Sequence, residues 1–157
     1  MNIARRVVGP KEDGQNVQQF MSDSPWSARK VFEQIQAEVC QRLERSGGML
    51  SLDESGDERA GAQSAGAARQ YLGRQGKVDL GQVGVALGYA QAGTWLMGEA
   101  ELYLPEGWFT EEYADLRRRW HIPPERVFAS KVDLGLAMIE RAQQNKLPFE
   151  VVGCDTV

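Results

Sequence analysis

An alternating stretch in the middle of the chain limits the possible folds more than any other feature. It reads "KVDLGQVGVALGYAQAGTWLMGEAELYLP", and its apolar residues recur with a period of two. In its first half, large apolar residues alternate with glycine and alanine: Val83, Val85, Leu87 and Tyr89 against Gly84, Ala86 and Gly88. Because successive side chains of a strand point to opposite faces, this pattern predicts a β-meander with one tightly packed face, turning at "AQAG".

Helices are predicted on both sides of the meander. In "SARKVFEQIQAEVCQRLER", five apolar residues fall on one face at helical spacing: Val31, Phe32, Ile35, Val39 and Leu43. Ser24 is the predicted N-cap of this helix, and Pro25 suits its first position. A helical excursion is predicted over residues 105–126, with Thr110 as its cap, and a further helix over "VDLGLAMIERAQQNK".

Three further short segments are predicted strands. "MLSLD" precedes the meander, "RVFASK" follows the excursion, and "PFEVVGCD" lies near the last residue. In the last of these, Phe149, Val151, Gly153 and Asp155 share one face. Since a helix leads into this strand, it is predicted to run parallel to an earlier one. The result is a mixed α/β sheet with flanking helices.

Composition restricts the class of protein. The chain has 157 residues, of which 42% are hydrophobic and 25% charged, as in one soluble globular domain. No apolar run is long enough to span a bilayer, and Met1 to Lys11 lacks the apolar segment of a secretory signal. Cys40 and Cys154 lack motif spacing, so we expect reduced thiols and a cytoplasmic location. A net charge of −4 does not by itself suggest nucleic acid.

Two predicted strands end in an aspartate, at Asp53 and Asp155. If these strands are parallel neighbours, both carboxylates emerge at one edge of the sheet. Carboxylate oxygens suit magnesium or manganese, and a pair of such ions can promote phosphodiester chemistry. The alternatives are a strand-end turn residue at Asp53 and a terminal carboxylate at Asp155. Glu54 would point to the opposite face from Asp53, in a solvated or structural role.

The remaining polar and aromatic residues favour structural roles. His121 is the single histidine, so no Ser-His or Cys-His relay and no HExxH zinc motif is supported; a partly buried place at a helix end is expected. Arg117, Arg118 and Arg119 are expected on a solvated helix face. The four tryptophans favour core positions over base stacking: Trp26, Trp95, Trp108 and Trp120.

Several long motifs resemble one known family. "LSLDESGDERAGAQSAGAARQYLGRQGKVDLGQVGVALGYA" is similar to the catalytic-domain opening of a bacterial insertion-sequence transposase family of the DDE superfamily. "VQQFMSDSPWSARKVFEQI" upstream, and "ELYLPEGW" and "FASKVDLGLAMIERA" downstream, are similar as well. The resemblance extends from about Asn2 to the last residue, and its segments occur in the order of the family.

The resemblance implies a ribonuclease-H-like core, incomplete at its C-terminus, and three acidic residues that hold two Mg²⁺ (or Mn²⁺) ions. Asp53 in "LSLDESG" matches the first acid and Asp155 in "VVGCD" matches the second. The third is a Glu on a later helix, which no residue here matches. Arg69, with Gln70, lies in a family motif, and Arg69 and Lys77 are candidate DNA contacts. A plain surface role for Arg69 is the alternative. The loop "GDERAGAQSAG" lacks the lysines usual in the family.

The resemblance also implies a division of the chain and a function. Residues 1–46 are predicted to form a polar segment and an amphipathic helix, and 47–157 part of a DDE catalytic domain. The implied reaction is metal-dependent cleavage and strand transfer at transposon ends, in a bacterial cytoplasm. We expect a fragment of a longer frame that is inactive alone. One alternative is a non-catalytic protein that binds or inhibits a full-length transposase, or its own copies; another is an unrelated α/β binding module.

Overall fold

The computed structural model describes residues 15–25, 27–42 and 47–154, which fall into two compact units divided between Val31 and Phe32. The helices are α1 (Gln15–Asp23), α2 (Ala28–Arg42), α3 (Ala114–Arg119) and α4 (Lys131–Gln144). The strands are β1 (Met49–Glu58), β2 (Ala68–Leu72), β3 (Lys77–Gln91), β4 (Thr94–Leu102) and β5 (Val151–Cys154). No helix within these ranges is long and apolar enough to cross a membrane.

A short break separates α1 from α2, and it changes the predicted cap. The backbone N–H of Ser24 donates to the carbonyl of Phe20 at 3.2 Å, so Ser24 closes α1. The backbone N–H of Lys30 donates to Oγ of Ser27 at 3.4 Å, and α2 begins only at Ala28. The prediction of Ser24 as N-cap, with Pro25 at the first helical position, is therefore wrong. Ser27 takes the cap because α1 extends as far as Asp23.

The inner face of α2 mixes apolar and polar side chains. Of the five predicted apolar residues, Val39 is buried, Phe32 and Ile35 are partly buried, and Val31 is 44% exposed; Leu43 lies outside the described residues. Gln36 is buried on this face. Its amide donates to the carbonyl of Gly98 at 3.0 Å and accepts from Nδ2 of Asn145 at 2.9 Å. Such pairing offsets the cost of burying an amide.

The five strands form one mixed sheet. Strand β1 pairs antiparallel with β3 and parallel with β5, giving the order β2-β3-β1-β5. Strand β4 also pairs with β3, antiparallel, after a two-residue turn at Ala92 and Gly93 with φ of 46° and 80°. Positive φ at both turn positions is typical of the tight hairpins that match strand twist. The predicted meander and the predicted parallel strand are both confirmed.

Strand β1 is longer than its sequence pattern predicts. It extends past the predicted "MLSLD" to Glu58, which pairs with Gly81 of β3. The fifteen residues of β3 provide partners along this whole length. Gly81 pairs with Ala68 on its other side, so β2 and β4 follow one another along the second edge of β3. Residues 59–67 link the end of β1 to β2, which forms a hairpin with β3.

One face of the sheet carries the hydrophobic core, and we call it the covered face. The large residues of the alternating stretch point to it, and α2 and α4 pack on it. Its buried residues include Leu50, Val85, Leu87 and Tyr89 from the strands and Leu134, Met138 and Ala142 from α4. Gly135 lies so close to the sheet that a Cβ there would meet Cδ2 of Leu52 at 2.3 Å. The helix therefore packs directly against β1.

The predicted helical excursion over residues 105–126 is helical between Glu106 and Arg119, and Thr110 precedes its second turn without the predicted side-chain cap. It consists of 3₁₀ turns at Glu106–Phe109 and Glu111–Tyr113, followed by α3. The hydroxyl of Thr110 donates backwards to the carbonyl of Gly107 at 2.9 Å and caps no helix. The first 3₁₀ turn places Trp108 in the interior, where its indole N–H donates to the carbonyl of Ala67 at 3.0 Å.

The predicted strand "RVFASK" is wrong. Residues 126–130 form no strand, and α4 begins at Lys131. Ser130 and Asp133 make a reciprocal capping box, in which each side chain accepts from the other residue's backbone N–H. Arg126 pairs instead with Glu101 of β4. These polar contacts hold residues 126–130 as the lead into α4 and not as a strand.

Four of the predicted side-chain environments are wrong: those of Trp95, Trp120, His121 and Arg117. Trp108 is a core residue as predicted, whereas Trp95 is 74% exposed and Trp120 is 45% exposed; Trp26 lies outside the described residues. His121 is exposed, at the end of α3. Arg117 is not a solvated residue, because its guanidinium donates to the carbonyls of Trp108 and Thr110 and ties α3 to the preceding turns.

Candidate functional site

The other side of the sheet, which we call the open face, is formed by the odd positions of β1 from Met49 to Asp57 and the even positions of β3 from Val78 to Ala90. Its centre consists of small residues of β3, whose side chains rise little above the backbone. Around them lie exposed apolar side chains: Met49, Trp95, Met97, Leu102 and Val151. Gly88 would bring a Cβ within 3.8 Å of the indole nitrogen of Trp95, so the ring lies over the strand. A ligand can thus approach the strand backbones closely on this face.

Asp53 lies on the open face. It pairs with Ala86 of β3, and its side chain is exposed. Its Oδ1 accepts from the backbone N–H of Glu54 at 2.7 Å, which orients the carboxylate. Strand β1 continues through this point, so Asp53 is not the strand-end turn residue of the alternative interpretation.

Of the two roles predicted for Glu54, solvated or structural, the structure shows the structural one. It points to the covered face, where its carboxylate forms an ion pair with the ammonium of Lys131 at the start of α4. The same ammonium lies 5.5 Å from the ring centre of Tyr103. Alternation along β1 thus assigns neighbouring acids to different tasks, with Glu54 anchoring a helix and Asp53 facing outward.

Strand β5 leads to the second predicted acid. Cys154, the last described residue of β5, pairs in parallel with Leu52, the residue before Asp53. Asp155 follows Cys154 in the sequence but lies outside the described residues. The parallel pairing that the metal hypothesis needs is therefore confirmed, while the pairing of the two carboxylates stays a prediction. Cys154 and Cys40 are both free thiols, as expected.

The described residues include one of the two predicted metal ligands, Asp53. Asp53 offers a hard, outward-facing oxygen donor of the kind that magnesium and manganese prefer. Within residues 15–25, 27–42 and 47–154, no group of three or more His, Cys, Asp or Glu side chains could hold a metal. Asp53 thus fits the role of a first ligand, and a complete site needs donors from elsewhere.

The two predicted DNA contacts lie on the β2–β3 hairpin in different surroundings. Arg69 is exposed on β2, opposite Leu80. Lys77 is held by Asp79, with 2.6 Å between Nζ and Oδ2, and this bond raises the pKa of Lys77 and lowers the pKa of Asp79. Gln70 points inward and donates to the carbonyl of Gly81 at 2.8 Å. Of the residues in "ARQY", Gln70 is therefore structural.

Sequence reasoning missed Tyr71, the other outward residue of β2. It is 52% exposed and lies opposite Val78, which is 55% exposed. The alternation of side chains along a strand could have identified Tyr71, since Arg69 and Tyr71 are two positions apart and must share a face of any strand. The prediction treated the motif as a family feature and did not assign its strand faces.

Comparison with known proteins decides the family. Residues 1–156 match the profile of the family described as DDE superfamily endonuclease. The chain belongs to this family. The DDE family implies a ribonuclease-H-like fold, and the antiparallel strands, the parallel β1–β5 pair and the flanking helices agree with it. The resemblance inferred from "LSLDESG" and the other motifs is confirmed.

A curated relative is described as "Probable transposase for insertion sequence element IS701" from Microchaete diplosiphon. The DDE-family chain is 24% identical to it over 152 residues, which are 97% of the chain and 36% of the relative. The chain thus spans about a third of that protein's length. No solved structure matches the chain.

Proposed function

We propose that this DDE-family chain supplies the first two carboxylate ligands, Asp53 and Asp155, of a transposase active site. The supporting observation is the parallel register of β1 and β5, in which Leu52 is opposite Cys154. Each of these residues is followed directly by one of the two acids. Asp53 is exposed on the open face, where a DNA strand can reach it. The name of the curated relative supports the same class of reaction.

Asp53 and Asp155 would hold divalent magnesium or manganese. Such ions polarise a phosphodiester and lower the pKa of a water or hydroxyl nucleophile. The contribution of the chain itself is orientation: the backbone N–H of Glu54 holds one oxygen of Asp53, at 2.7 Å, so that the other can face the ligand. The strand below is fixed by the covered face, which keeps the carboxylate in place.

The proposed substrate is DNA at a transposon end, and the proposed chemistry is cleavage followed by strand transfer. Arg69 is the main proposed contact to the phosphate backbone, since it is an exposed cation on the open face. Lys77 is a weaker proposed contact, since its odd position on β3 points to the other side of the sheet. We expect metal binding without cleavage by the 157-residue chain alone. It supplies two of the three acidic ligands that the resemblance implies, and an incomplete ligand set weakens both affinity and geometry.

Titration of the whole chain with Mn²⁺, followed by the electron paramagnetic resonance signal of free Mn²⁺, tests this proposal. Wild-type protein should bind weakly, and Asp53→Asn should weaken binding by about tenfold or more. Asp57→Asn is the matched control, since Asp57 is exposed on the same strand and face. It should leave the affinity within about twofold of wild type.

Both variants should fold as the wild type does, because each replaces an exposed side chain with an isosteric one. Equal Mn²⁺ affinity in Asp53→Asn and wild type would refute the assignment of Asp53. Magnesium-dependent nicking of plasmid DNA by the wild-type chain, lost in Asp53→Asn, would support the site but refute the expected inactivity of the chain alone.

A further inference from the structure

The β2–β3 hairpin presents an unusual combination of exposed side chains. Arg69 and Tyr71 point outward from β2, and Val78 faces Tyr71 from β3. The hairpin ends in a 3₁₀ turn, Gly73–Gln75, which places Arg74 at its tip. A cation beside an exposed ring and an apolar neighbour is a pairing typical of strands that contact nucleic acid.

This hairpin extends the same face that carries Asp53. The even positions of β3 alternate without a break from Val78 to Ala86, and Ala86 is opposite Asp53. Arg69 is opposite Leu80, six residues from Ala86, which corresponds to about 20 Å along the strand. Gln82 and Gly84 lie between them. Gly84 adds no bulk, whereas the amide of Gln82 accepts from the side chain of Arg59 and donates to the carbonyl of Ala65. A DNA strand along this path would cover about six nucleotides, at a rise of about 3.4 Å each.

The ion pairs of the hairpin single out one of its cations. Lys77 is bound to Asp79, and Arg74 lies 4.0 Å from Asp57. In the part of the chain that the structure describes, Arg69 has no carboxylate within 4.0 Å. The hydrogen bond from Lys77 is the first cause that lowers the pKa of Asp79, and the charge of Arg69 is the last, so Arg69 acts on Asp79 only through space. Arg69 can therefore bind a phosphate without first giving up a salt bridge.

We propose that Arg69 and Tyr71 form a DNA-binding platform on the β2–β3 hairpin, about six nucleotides from the phosphodiester at Asp53. Arg69 donates to a backbone phosphate, and the ring of Tyr71 packs against the adjacent nucleotide. Lys77 contributes less because Asp79 holds it. The inference rests on the proposed function, since it takes DNA as the substrate of the face. It also separates two contacts that the sequence could not distinguish.

The test is DNA binding by the whole 157-residue chain in EDTA, where no divalent ion contributes. The probe is a fluorescein-labelled duplex of 30 base pairs and mixed sequence, followed by anisotropy at low salt. Arg69→Gln and Tyr71→Ala should each weaken binding by about fivefold, whereas Tyr71→Phe and Lys77→Gln should stay within about twofold of wild type. Arg69→Lys should restore part of the affinity by restoring the charge.

Arg118→Gln is the matched control, because Arg118 is an exposed arginine of α3, outside the hairpin. It should leave the affinity within about twofold of wild type. Wild-type affinity in Arg69→Gln, or an equal loss in Arg118→Gln, would overturn the platform in favour of diffuse electrostatic binding. Circular dichroism checks that each variant is folded. If Tyr71→Ala does not fold, the result for Arg69→Gln still decides the test.

The outcome is separable from that of the metal proposal. Asp53→Asn should lose Mn²⁺ affinity and keep its DNA affinity in EDTA, and Arg69→Gln should do the reverse. If Asp53→Asn keeps its Mn²⁺ affinity while Arg69→Gln loses DNA affinity, the metal site fails and the platform stands. If only the Mn²⁺ result is obtained, the platform fails and the metal site stands.

Discussion

Leu87 and Ala86 are neighbours on strand β3 and point to opposite faces of the sheet. On the covered face, large side chains pack against two helices, so the buried positions contribute to stability. On the open face, glycine and alanine leave the strand backbones accessible, and Asp53 stands among them. The comparison indicates that β3 stabilises the fold through one set of side chains and keeps space for a ligand through the other.

The largest expected effect comes from the covered face. Leu87→Ala should lower the free energy of unfolding by about 3 kcal/mol, because Leu87 is fully buried and its removal leaves a cavity. Ala86→Ser, one residue away on the open face, should change it by less than about 0.5 kcal/mol. Urea denaturation of the two variants measures the difference. Equal losses would mean that the two faces are not distinct.

An intermediate effect is expected at the edge of the covered face. Arg141 of α4 binds the largely buried carboxylate of Glu99, with Nε 2.9 Å from Oε1. Glu99→Ala would leave this arginine with Glu101 alone, 3.5 Å away. The free energy of unfolding should fall by about 2 kcal/mol, against less than about 0.5 kcal/mol for the exposed control Glu111→Ala. Thermal unfolding showing equal stability for both variants would contradict a structural role for the pair.

The smallest effect is expected at the start of α4, the helix that packs on the covered face. Ser130→Ala should lower the free energy of unfolding by about 1 kcal/mol, because Oγ of Ser130 no longer accepts from the N–H of Asp133. Ser55→Ala, on the exposed open face, is the control and should be near neutral. Guanidinium denaturation at pH 7 measures both.

Acid should reduce the difference between wild type and Ser130→Ala. Hydrogen bonds from the hydroxyl and backbone N–H of Ser130 lower the pKa of Asp133 below its usual 3.8. A lowered pKa in the folded state stabilises the protein above the unfolded value and loses that contribution as the pH falls through the folded value. The difference should therefore be full at pH 7 and smaller at pH 3. A difference that grows on acidification would contradict the capping box.

Much of the fold could be predicted from the sequence. The alternation of Val83, Val85, Leu87 and Tyr89 predicted both the meander and its buried face, and all four are buried. The helix before "PFEVVGCD" predicted the parallel strand. Asp53 and Glu54 were correctly assigned to opposite faces, because alternation depends only on position within a strand.

The errors share a physical cause. Ser24, Thr110 and the segment "RVFASK" were interpreted from local residue preferences, which neighbouring contacts can override. Thr110 donates to a carbonyl in its own turn, and Ser130 binds Asp133 in a capping box. Trp95 carries a large apolar ring, yet its parity places it on the open face. Size and hydrophobicity do not reveal which face of a sheet will be covered.

The sequence by itself determined the strand periodicity, the order of the elements and the family to which the motifs belong, because these depend on local spacing. Tertiary structure decided which face of the sheet the helices cover, how far β1 extends along β3, and which hairpin cations are held by carboxylates. Those properties depend on residues distant in the chain, such as Glu58 and Gly81 or Leu52 and Cys154. Their pairing becomes defined only when the sheet has formed and its core excludes water.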